Sequence, residues 1–169
     1  VSSAPYRLFK GFPTRGGVLS PTILNFPGTV LGGRKSDAFS TAMDLPATFL
    51  QLAGLEHPGT EYDGRQIAPI EGRSLLDLVL GKATMVHNGE EAFVWEMMDR
   101  RAVQKGNWKI EWINKPWGEG VGVWALYNLE ADPTELRNVA DENPDKVVEL
   151  VMAWDRYVED NHLVLADYS

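Results

Sequence analysis

The chain has 169 residues, of which 44% are hydrophobic and 24% are charged, a composition typical of a folded globular protein. Its formal net charge of −8 at pH 7 argues against nucleic acid and anionic membranes as partners, since both would repel it. It contains no cysteine, which excludes a disulfide framework, a thiolate nucleophile and a cysteine-bound metal. That absence leaves the cellular compartment open, and no apolar run approaches the roughly 20 residues that span a bilayer.

The N-terminal part alternates short apolar stretches with glycine and proline. Residues 10–21, KGFPTRGGVLSP, predict a structured loop, and residues 18–26, VLSPTILNF, predict a buried strand. Because Pro21 has no backbone N–H, we expect the regular strand to begin at Thr22. Lys10 then lies on a loop that leads into a strand, where ligands gather in α/β proteins. By spacing alone it is either a surface cation or a site for an anion.

Two short helices are predicted next. In residues 44–54, DLPATFLQLAG, Asp44 suits the N-cap and Gly54 suits the position after the helix end. Phe49 and its apolar neighbours give this helix a side that we expect to face the core. Residues 72–82, GRSLLDLVLGK, predict a second brief helix. The hydrophobic pattern then fades, and we place a boundary near residues 82–90.

The C-terminal half predicts an antiparallel meander covered by a helix. Aromatic and β-branched runs separated by turn residues occupy 92–98, 101–106, 108–113 and 123–129. In WKIEWI the alternation places Trp108, Ile110 and Trp112 on one face and Lys109 and Glu111 on the other, so we expect one covered face. A helix that begins at Asn143-Pro144, with apolar residues at helical spacing, would be the cover.

Few residues point to chemistry on their own. His57, His87 and His162 are far apart in the sequence, and we interpret each as structural. In DPTEL, Asp132, Pro133 and Glu135 have the spacing of a capping box and predict a helix start. The six tryptophans are interpreted mainly as core residues, with Trp117 in NKPWGEG as the one expected to be exposed.

Five segments keep a fixed order and spacing over nearly the whole chain. They are KGFPTRGGVLSP (10–21), DLPATFLQLAGL (44–55), GRSLLDLVLG (72–81), RAVQKGNWKIEW (101–112) and LYNLEADPTELRNVAD (126–141). Each is a moderate match, but jointly they resemble the C-terminal part of the sulfatases, within the alkaline-phosphatase-like superfamily.

The resemblance implies an architecture that passes from α/β to α+β. Residues 1–85 would be the C-terminal remnant of an α/β catalytic domain. Residues 86–169 would form a small α+β subdomain, a four-stranded antiparallel sheet packed on a long C-terminal helix. The resemblance also implies that Lys10 contacts the sulfate group of the substrate, as a catalytic and substrate-binding residue. An ammonium is a compact donor that can stabilise charge on a sulfuryl or leaving oxygen.

The resemblance further implies groups that we expect only in a full-length enzyme. The family uses a formylglycine, made from Cys or Ser in a Cys/Ser-x-Pro/Ala-x-Arg motif, and a divalent cation, usually calcium, held by Asp and Asn. We expect the motif and the ligands upstream, hence no cofactor and no metal site in this chain. The expected partners are a small-molecule sulfate ester and the missing N-terminal part of the catalytic domain. Arg15 and Leu19 depart from the common Glu-Gly-Gly-x-Arg form, which leaves the substrate subclass open.

Three functions compete for the chain. The first is a C-terminal fragment of a sulfuric ester hydrolase, arylsulfatase-like, that supplies Lys10 and is inactive alone. The second is a fragment of a related phosphoester or phosphonate-ester hydrolase, since the superfamily uses similar folds for both anions. The third is a non-enzymatic interaction domain that uses the tryptophan-rich sheet.

Overall fold

The computed structural model describes residues 3–25, 28, 32–120 and 122–165, which form two compact units. The larger unit takes its described residues from 1–22 and 89–169, and the smaller unit comprises 23–88. The chain passes from the smaller to the larger unit between residues 88 and 89, within the predicted boundary region, whereas residues 3–22 pack with the C-terminal half. The division into 1–85 and 86–169 stays a prediction for the full-length protein.

Helices and strands of the described residues are mostly short. The helices are α1 (Arg15–Val18), α2 (Asp44–Leu52), α3 (Leu76–Val79) and α4 (Pro144–Asp160), and the strands are β1 (Glu61–Tyr62), β2 (Arg65–Gln66), β3 (Ala92–Met97), β4 (Arg100–Lys105), β5 (Trp108–Trp112) and β6 (Ala125–Asn128). Strands β1 and β2 pair as a hairpin, and β3 to β6 form a four-stranded antiparallel meander in chain order. Among the described residues no helix has the length and hydropathy needed to cross a membrane.

Helix α4 packs across one face of the meander. On this face an apolar row crosses the four strands, each member directly opposite the next: Val94, Val103, Ile110 and Leu126. From α4, Leu150 and Trp154 are buried against that row. Burying a side chain of this size contributes roughly 1.5–3 kcal/mol, so these contacts stabilise the unit appreciably. The predicted sheet under one long helix is confirmed.

The opposite face of the meander is also buried, contrary to the prediction of a single covered face. The Lys109 and Glu111 side chains are 0% and 1% exposed. The alternation in β5 correctly separates these residues from Ile110, but it does not reveal that residues 7–15 lie over them. Hydrogen bonds and ion pairs from this distant segment replace the water that we expected on this face.

The smaller unit is organised by polar residues of α2. Asp44 and Thr48 are the buried residues of this helix, and Thr48 Oγ1 accepts a 2.8 Å hydrogen bond from the Leu75 N–H. Phe49 is 62% exposed, so the expected core-facing apolar side is wrong for the described chain. Gly72 permits close packing here, since a Cβ would lie 1.8 Å from the carbonyl oxygen of Met43.

The strand predicted within 18–26 is wrong over its described part. Residue 18 ends α1, residues 19–25 have no strand pairing, and the Ile23 side chain is 95% exposed. Residue 26 lies outside the described residues. A strand needs a neighbour for its backbone N–H and C=O groups, and no described strand lies alongside this stretch.

Candidate functional site

Lys10 occupies an exposed turn of the larger unit. Within the described ranges, its ammonium makes no hydrogen bond or ion pair. An ammonium carries three N–H donors, so an anion can bind here without displacing a protein partner. We refer to residues 7–15 as the Lys10 segment.

The backbone on both sides of Lys10 is tied down. Arg100 Nη1 donates a 2.7 Å hydrogen bond to the carbonyl oxygen of Gly11. The same guanidinium lies 4.2 Å from the ring centre of Phe12, a cation–π contact. Thr14 Oγ1 donates a 2.8 Å hydrogen bond to the carbonyl oxygen of Arg7, which closes the segment on itself.

Beneath the segment lies a buried charge cluster centred on Lys109. Its ammonium lies 2.6 Å from the carbonyl oxygen of Pro13, 2.6 Å from Glu135 Oε1 and 3.0 Å from Glu111 Oε1. Glu111 also pairs with Arg7, whose guanidinium lies 5.2 Å from the ring centre of Tyr127. Two carboxylates thus face two cations, which is how a protein accommodates buried charge.

Burial shapes the electrostatics of this cluster. It raises the pKa of the Glu111 carboxyl, against the lowering effect of Lys109, while Glu135 adds repulsion and Arg7 adds attraction. Burial likewise raises the pKa of the Tyr127 hydroxyl. Both groups lie in the buried interface between the sheet and the Lys10 segment, where Glu111 and Tyr127 are 2% and 4% exposed.

Glu135 joins this cluster instead of starting a helix. Its Oε2 accepts a 2.8 Å hydrogen bond from the Arg15 N–H, and its side chain is fully buried. No helix forms at 132–136, so the capping-box prediction is wrong. Asp132 accepts hydrogen bonds from the N–H groups of Leu136 and Arg137, at 2.7 and 2.8 Å, and closes a loop. The tertiary partners of Glu135 override the local capping pattern.

The glycine pair after the segment is required by packing. A Cβ at Gly16 would lie 2.2 Å from the carbonyl oxygen of Arg7, and one at Gly17 would lie 2.0 Å from that of Phe12. Neither distance is possible without moving the backbone. The missing side chains of this pair therefore allow α1 to fold closely against the Lys10 segment.

An aromatic cluster lies beside the turn. The ring of Trp117 meets those of Phe9 and Phe12 edge to face, with centroids 6.5 and 5.9 Å apart. Trp117 is 49% exposed and Phe9 is 47% exposed, so the surface next to Lys10 is partly apolar. The expected exposure of Trp117 agrees with this geometry.

The histidines and carboxylates form no metal site in the ranges that the structure describes, where no group of three possible ligands comes together. The imidazole of His87 pairs with Asp44, and Nδ1 of His57 accepts a 3.1 Å hydrogen bond from the Gly59 N–H. His162 lies exposed beyond α4. The residues present therefore do not fit the divalent cation that the resemblance implies.

Although the nucleophile motif is expected upstream, the N-terminal residues of this chain also match its spacing. Ser3-Ala4-Pro5-Tyr6-Arg7 has the spacing of the serine form of Cys/Ser-x-Pro/Ala-x-Arg. In the structure, Arg7 pairs with buried Glu111, and the carbonyl oxygen of Ser3 accepts a 3.0 Å hydrogen bond from the Tyr6 N–H. These contacts serve the fold, so the spacing alone does not make Ser3 a nucleophile.

The sequence comparisons lead to sulfatases. The sequence profile of the family "N-sulphoglucosamine sulphohydrolase, C-terminal" matches residues 10–159. An uncharacterized sulfatase from Schizosaccharomyces pombe is 38% identical over 168 residues, which is 98% of this chain and 29% of that protein. The N-acetylglucosamine-6-O-sulfatase of Bacteroides thetaiotaomicron is 28% identical over 123 residues, covering 70% of this chain and 21% of the enzyme.

Solved structures agree at the level of fold. The crystal structure of Ps i-CgsB in complex with k-i-k-neocarrahexaose superposes with a TM-score of 0.73, at 22% identity, covering 94% of this chain and 33% of that one. The chain thus spans about a third or less of each of these three proteins. The family profile covers most of the chain and includes Lys10. The chain therefore belongs to the sulfatases, as a member of the N-sulphoglucosamine sulphohydrolase C-terminal family.

Proposed function

We propose that this chain is the C-terminal part of a sulfuric ester hydrolase and that Lys10 binds the sulfate group of the substrate. The observation that carries the proposal is an exposed ammonium, without a protein partner among the described residues, on a segment held before Lys10 through Arg7 and after it through Gly11. A preorganised anion-binding site requires a cation on a backbone that is held in place, and Lys10 has this arrangement.

Lys10 would act by stabilising negative charge. As the S–O bond of a sulfate ester breaks, charge builds on the leaving oxygen and on the sulfuryl oxygens. A preorganised donor at such a position is worth roughly 3–4 kcal/mol of barrier in other enzymes. The nucleophile and the ligands of the divalent metal cation would come from the remainder of the full-length protein. We therefore expect the isolated chain to be inactive.

The substrate we propose is a sulfated sugar. Two relatives carry names that specify a sulfated hexosamine, the N-acetylglucosamine-6-O-sulfatase above and an N-acetylgalactosamine-6-sulfatase from Sus scrofa that is 36% identical over 75 residues. These names support an amino-sugar 6-sulfate ahead of a simple aryl sulfate. A phosphoester or phosphonate ester is not favoured, since the relatives described above are sulfatases.

The test is hydrolysis by the full-length protein of N-acetylglucosamine 6-sulfate, 4-nitrophenyl sulfate and 4-nitrophenyl phosphate. We expect sulfate release, and a drop of about 10²–10³-fold in kcat/KM for Lys10→Ala, from the loss of one charge-stabilising donor. Lys82→Ala is the matched control, because Lys82 is also an exposed lysine. Cleavage of the phosphate ester alone would support the hypothesis of a phosphoester hydrolase. Absence of hydrolysis of all three esters would support the hypothesis of a non-enzymatic interaction domain. Unchanged kinetics of Lys10→Ala would show that Lys10 does not bind the substrate.

A further inference from the structure

We propose that Lys109 and Glu135 are positioning residues for Lys10, because their buried ion pair fixes the backbone of the Lys10 segment against the sheet. The inference rests on the proposed function, since it takes Lys10 to be the residue that meets the substrate. Lys109 and Glu135 are themselves 0% and 1% exposed, so any effect on the reaction must pass through the segment.

Lys109 connects the sheet to the segment directly. It belongs to the inner strand β5, which pairs with β4 on one side and β6 on the other. Of the three oxygens around its ammonium, one is the carbonyl of Pro13, only three positions after Lys10. The rigid sheet therefore sets where this part of the segment lies.

Glu135 makes the second connection. One carboxylate oxygen receives the ammonium of Lys109 at 2.6 Å, and the other receives the Arg15 N–H at 2.8 Å. The backbone of Glu135 has a φ of +59°, a left-handed conformation that is strained for a non-glycine residue. Its contacts hold it in this conformation, which aims both oxygens at their partners.

The two connections act together with two further contacts of the segment, one before Lys10 and one directly after it. Arg7 pairs with Glu111 of the same strand, and Arg100 of β4 holds the carbonyl of Gly11. The backbone is thus fixed before and after Lys10, while the side chain of Lys10 itself stays in solvent. Holding a reacting group within a fraction of an ångström is a condition for efficient catalysis.

Stability alone does not account for a charged pair at this place. Replacing a buried ion pair by apolar side chains of similar volume is often neutral or even stabilising. An apolar pair, however, could not bind the carbonyl of Pro13 or the N–H of Arg15. The charged pair therefore makes directional hydrogen bonds to the backbone of the Lys10 segment. Such bonds can fix the position of Lys10, which apolar packing alone would not do.

The test uses the full-length enzyme and the double variant Lys109→Met/Glu135→Gln, which removes both charges and keeps similar side-chain volumes. We expect kcat on N-acetylglucosamine 6-sulfate to fall about 10–100-fold. The matched control is Lys105→Met/Glu149→Gln, which removes a 2.9 Å ion pair between the same sheet and α4, away from the segment. Its kcat should stay within about twofold of the wild type. Equal losses in the two double variants would overturn the proposal.

Combination with Lys10→Ala separates positioning from a general structural effect. If the pair acts through Lys10, adding Lys109→Met/Glu135→Gln to Lys10→Ala should lower kcat by less than about threefold further. A further loss as large as in the wild-type background would overturn the inference while leaving the proposed function intact. If Lys10→Ala alone changes nothing, the proposed function fails first, and the inference fails with it.

A single variant keeps the test decisive if the double variant does not fold. Glu135→Gln retains an oxygen acceptor for the Arg15 N–H and leaves Lys109 with Glu111 and the carbonyl of Pro13. We expect a 3–10-fold loss of kcat that disappears in the Lys10→Ala background. Wild-type kcat in Glu135→Gln would overturn the proposal.

Discussion

The carboxylate of Asp44 and Nε2 of His87 lie 3.1 Å apart, with both side chains at most 4% exposed. The same carboxylate accepts hydrogen bonds from the N–H groups of Thr41 and Arg73, at 2.7 and 2.8 Å. A single aspartate therefore joins the start of α2 to two later parts of the smaller unit. Burial tends to raise the pKa of Asp44, but the hydrogen bonds outweigh it and the pKa is lowered overall.

Loss of this carboxylate should destabilise the smaller unit in a pH-dependent way. A lowered folded-state pKa means that the stabilisation is present above the ordinary aspartate value of about 4 and is lost as the pH falls through the folded-state pKa. We expect Asp44→Asn to cost about 1–3 kcal/mol at pH 7, since the amide has one oxygen acceptor where the carboxylate has two, and the N–H of Thr41 or of Arg73 loses its partner. The difference from the wild type should shrink below about pH 4.

Hydrogen exchange of peptides from residues 41–52 measures this local stability. The matched control is Asp37→Asn, because Asp37 is exposed in the same unit. Comparing the two variants at each pH cancels the intrinsic pH dependence of exchange. Equal protection in Asp44→Asn and Asp37→Asn at pH 7 would contradict the prediction.

Gly16 should not tolerate a methyl group. Because its Cβ would lie 2.2 Å from a carbonyl oxygen, Gly16→Ala must displace the backbone of the Lys10 segment, and we expect a cost of about 3 kcal/mol. Gly32→Ala is the control, since nothing lies within 4 Å of a Cβ there. All six tryptophans belong to the larger unit, which also contains Gly16. The midpoint of urea unfolding, followed by tryptophan fluorescence, therefore measures the effect of Gly16→Ala. The unfolding of the smaller unit, followed by circular dichroism, reports on Gly32→Ala, which should match the wild type.

Packing of α4 on the sheet gives a third prediction. Leu150 is fully buried against the apolar row, so Leu150→Ala should cost about 2–5 kcal/mol through lost burial and a residual cavity. Val148 on the same helix is 57% exposed, and Val148→Ala should change the free energy of unfolding by less than about 0.5 kcal/mol. Urea unfolding followed by tryptophan fluorescence measures both. Similar losses in the two variants would show that α4 is not docked as described.

The serine motif at the N-terminus leads to a fourth prediction. Because Arg7 of Ser3-x-Pro5-x-Arg7 is bound to Glu111, we expect Ser3→Ala to leave the kcat of the full-length enzyme within about twofold of the wild type. Arg7→Ala should destabilise the larger unit, since it leaves the buried carboxylate of Glu111 short of one partner. Loss of activity in a well-folded Ser3→Ala protein would instead identify Ser3 as a catalytic group.

The architecture of the C-terminal half was predictable because its signals are local. Alternation in β5 and helical spacing in α4 each depend on residues a few positions apart, and both patterns match the structure. The covered second face was not predictable in this way. Alternation tells which residues share a face, but Lys109 is buried by residues almost a hundred positions earlier in the chain.

The role of Lys10 could not be predicted from local sequence patterns either. Its sequence context suggested a surface cation at least as readily as a site, and only the order of distant segments favoured an anion-binding role. DPTEL misled for a related reason. Its capping-box spacing is real, but the strong tertiary partners of Glu135 decide its conformation. The residues after DPTEL lack apolar residues at helical spacing, and this absence argues against a helix start there.

The buried pair of Lys109 and Glu135 also constrains how this family can diverge. Loss of Lys109 leaves the buried carboxylates of Glu111 and Glu135 with Arg7 as their remaining cation, whereas loss of Glu135 leaves Lys109 with Glu111. Either change unbalances the buried charges, so single substitutions should be disfavoured, most strongly at position 109, whereas paired replacements should be tolerated. Across related chains, positions 109 and 135 are expected to covary, with an evolutionary history more tightly linked than that of the exposed residues between them.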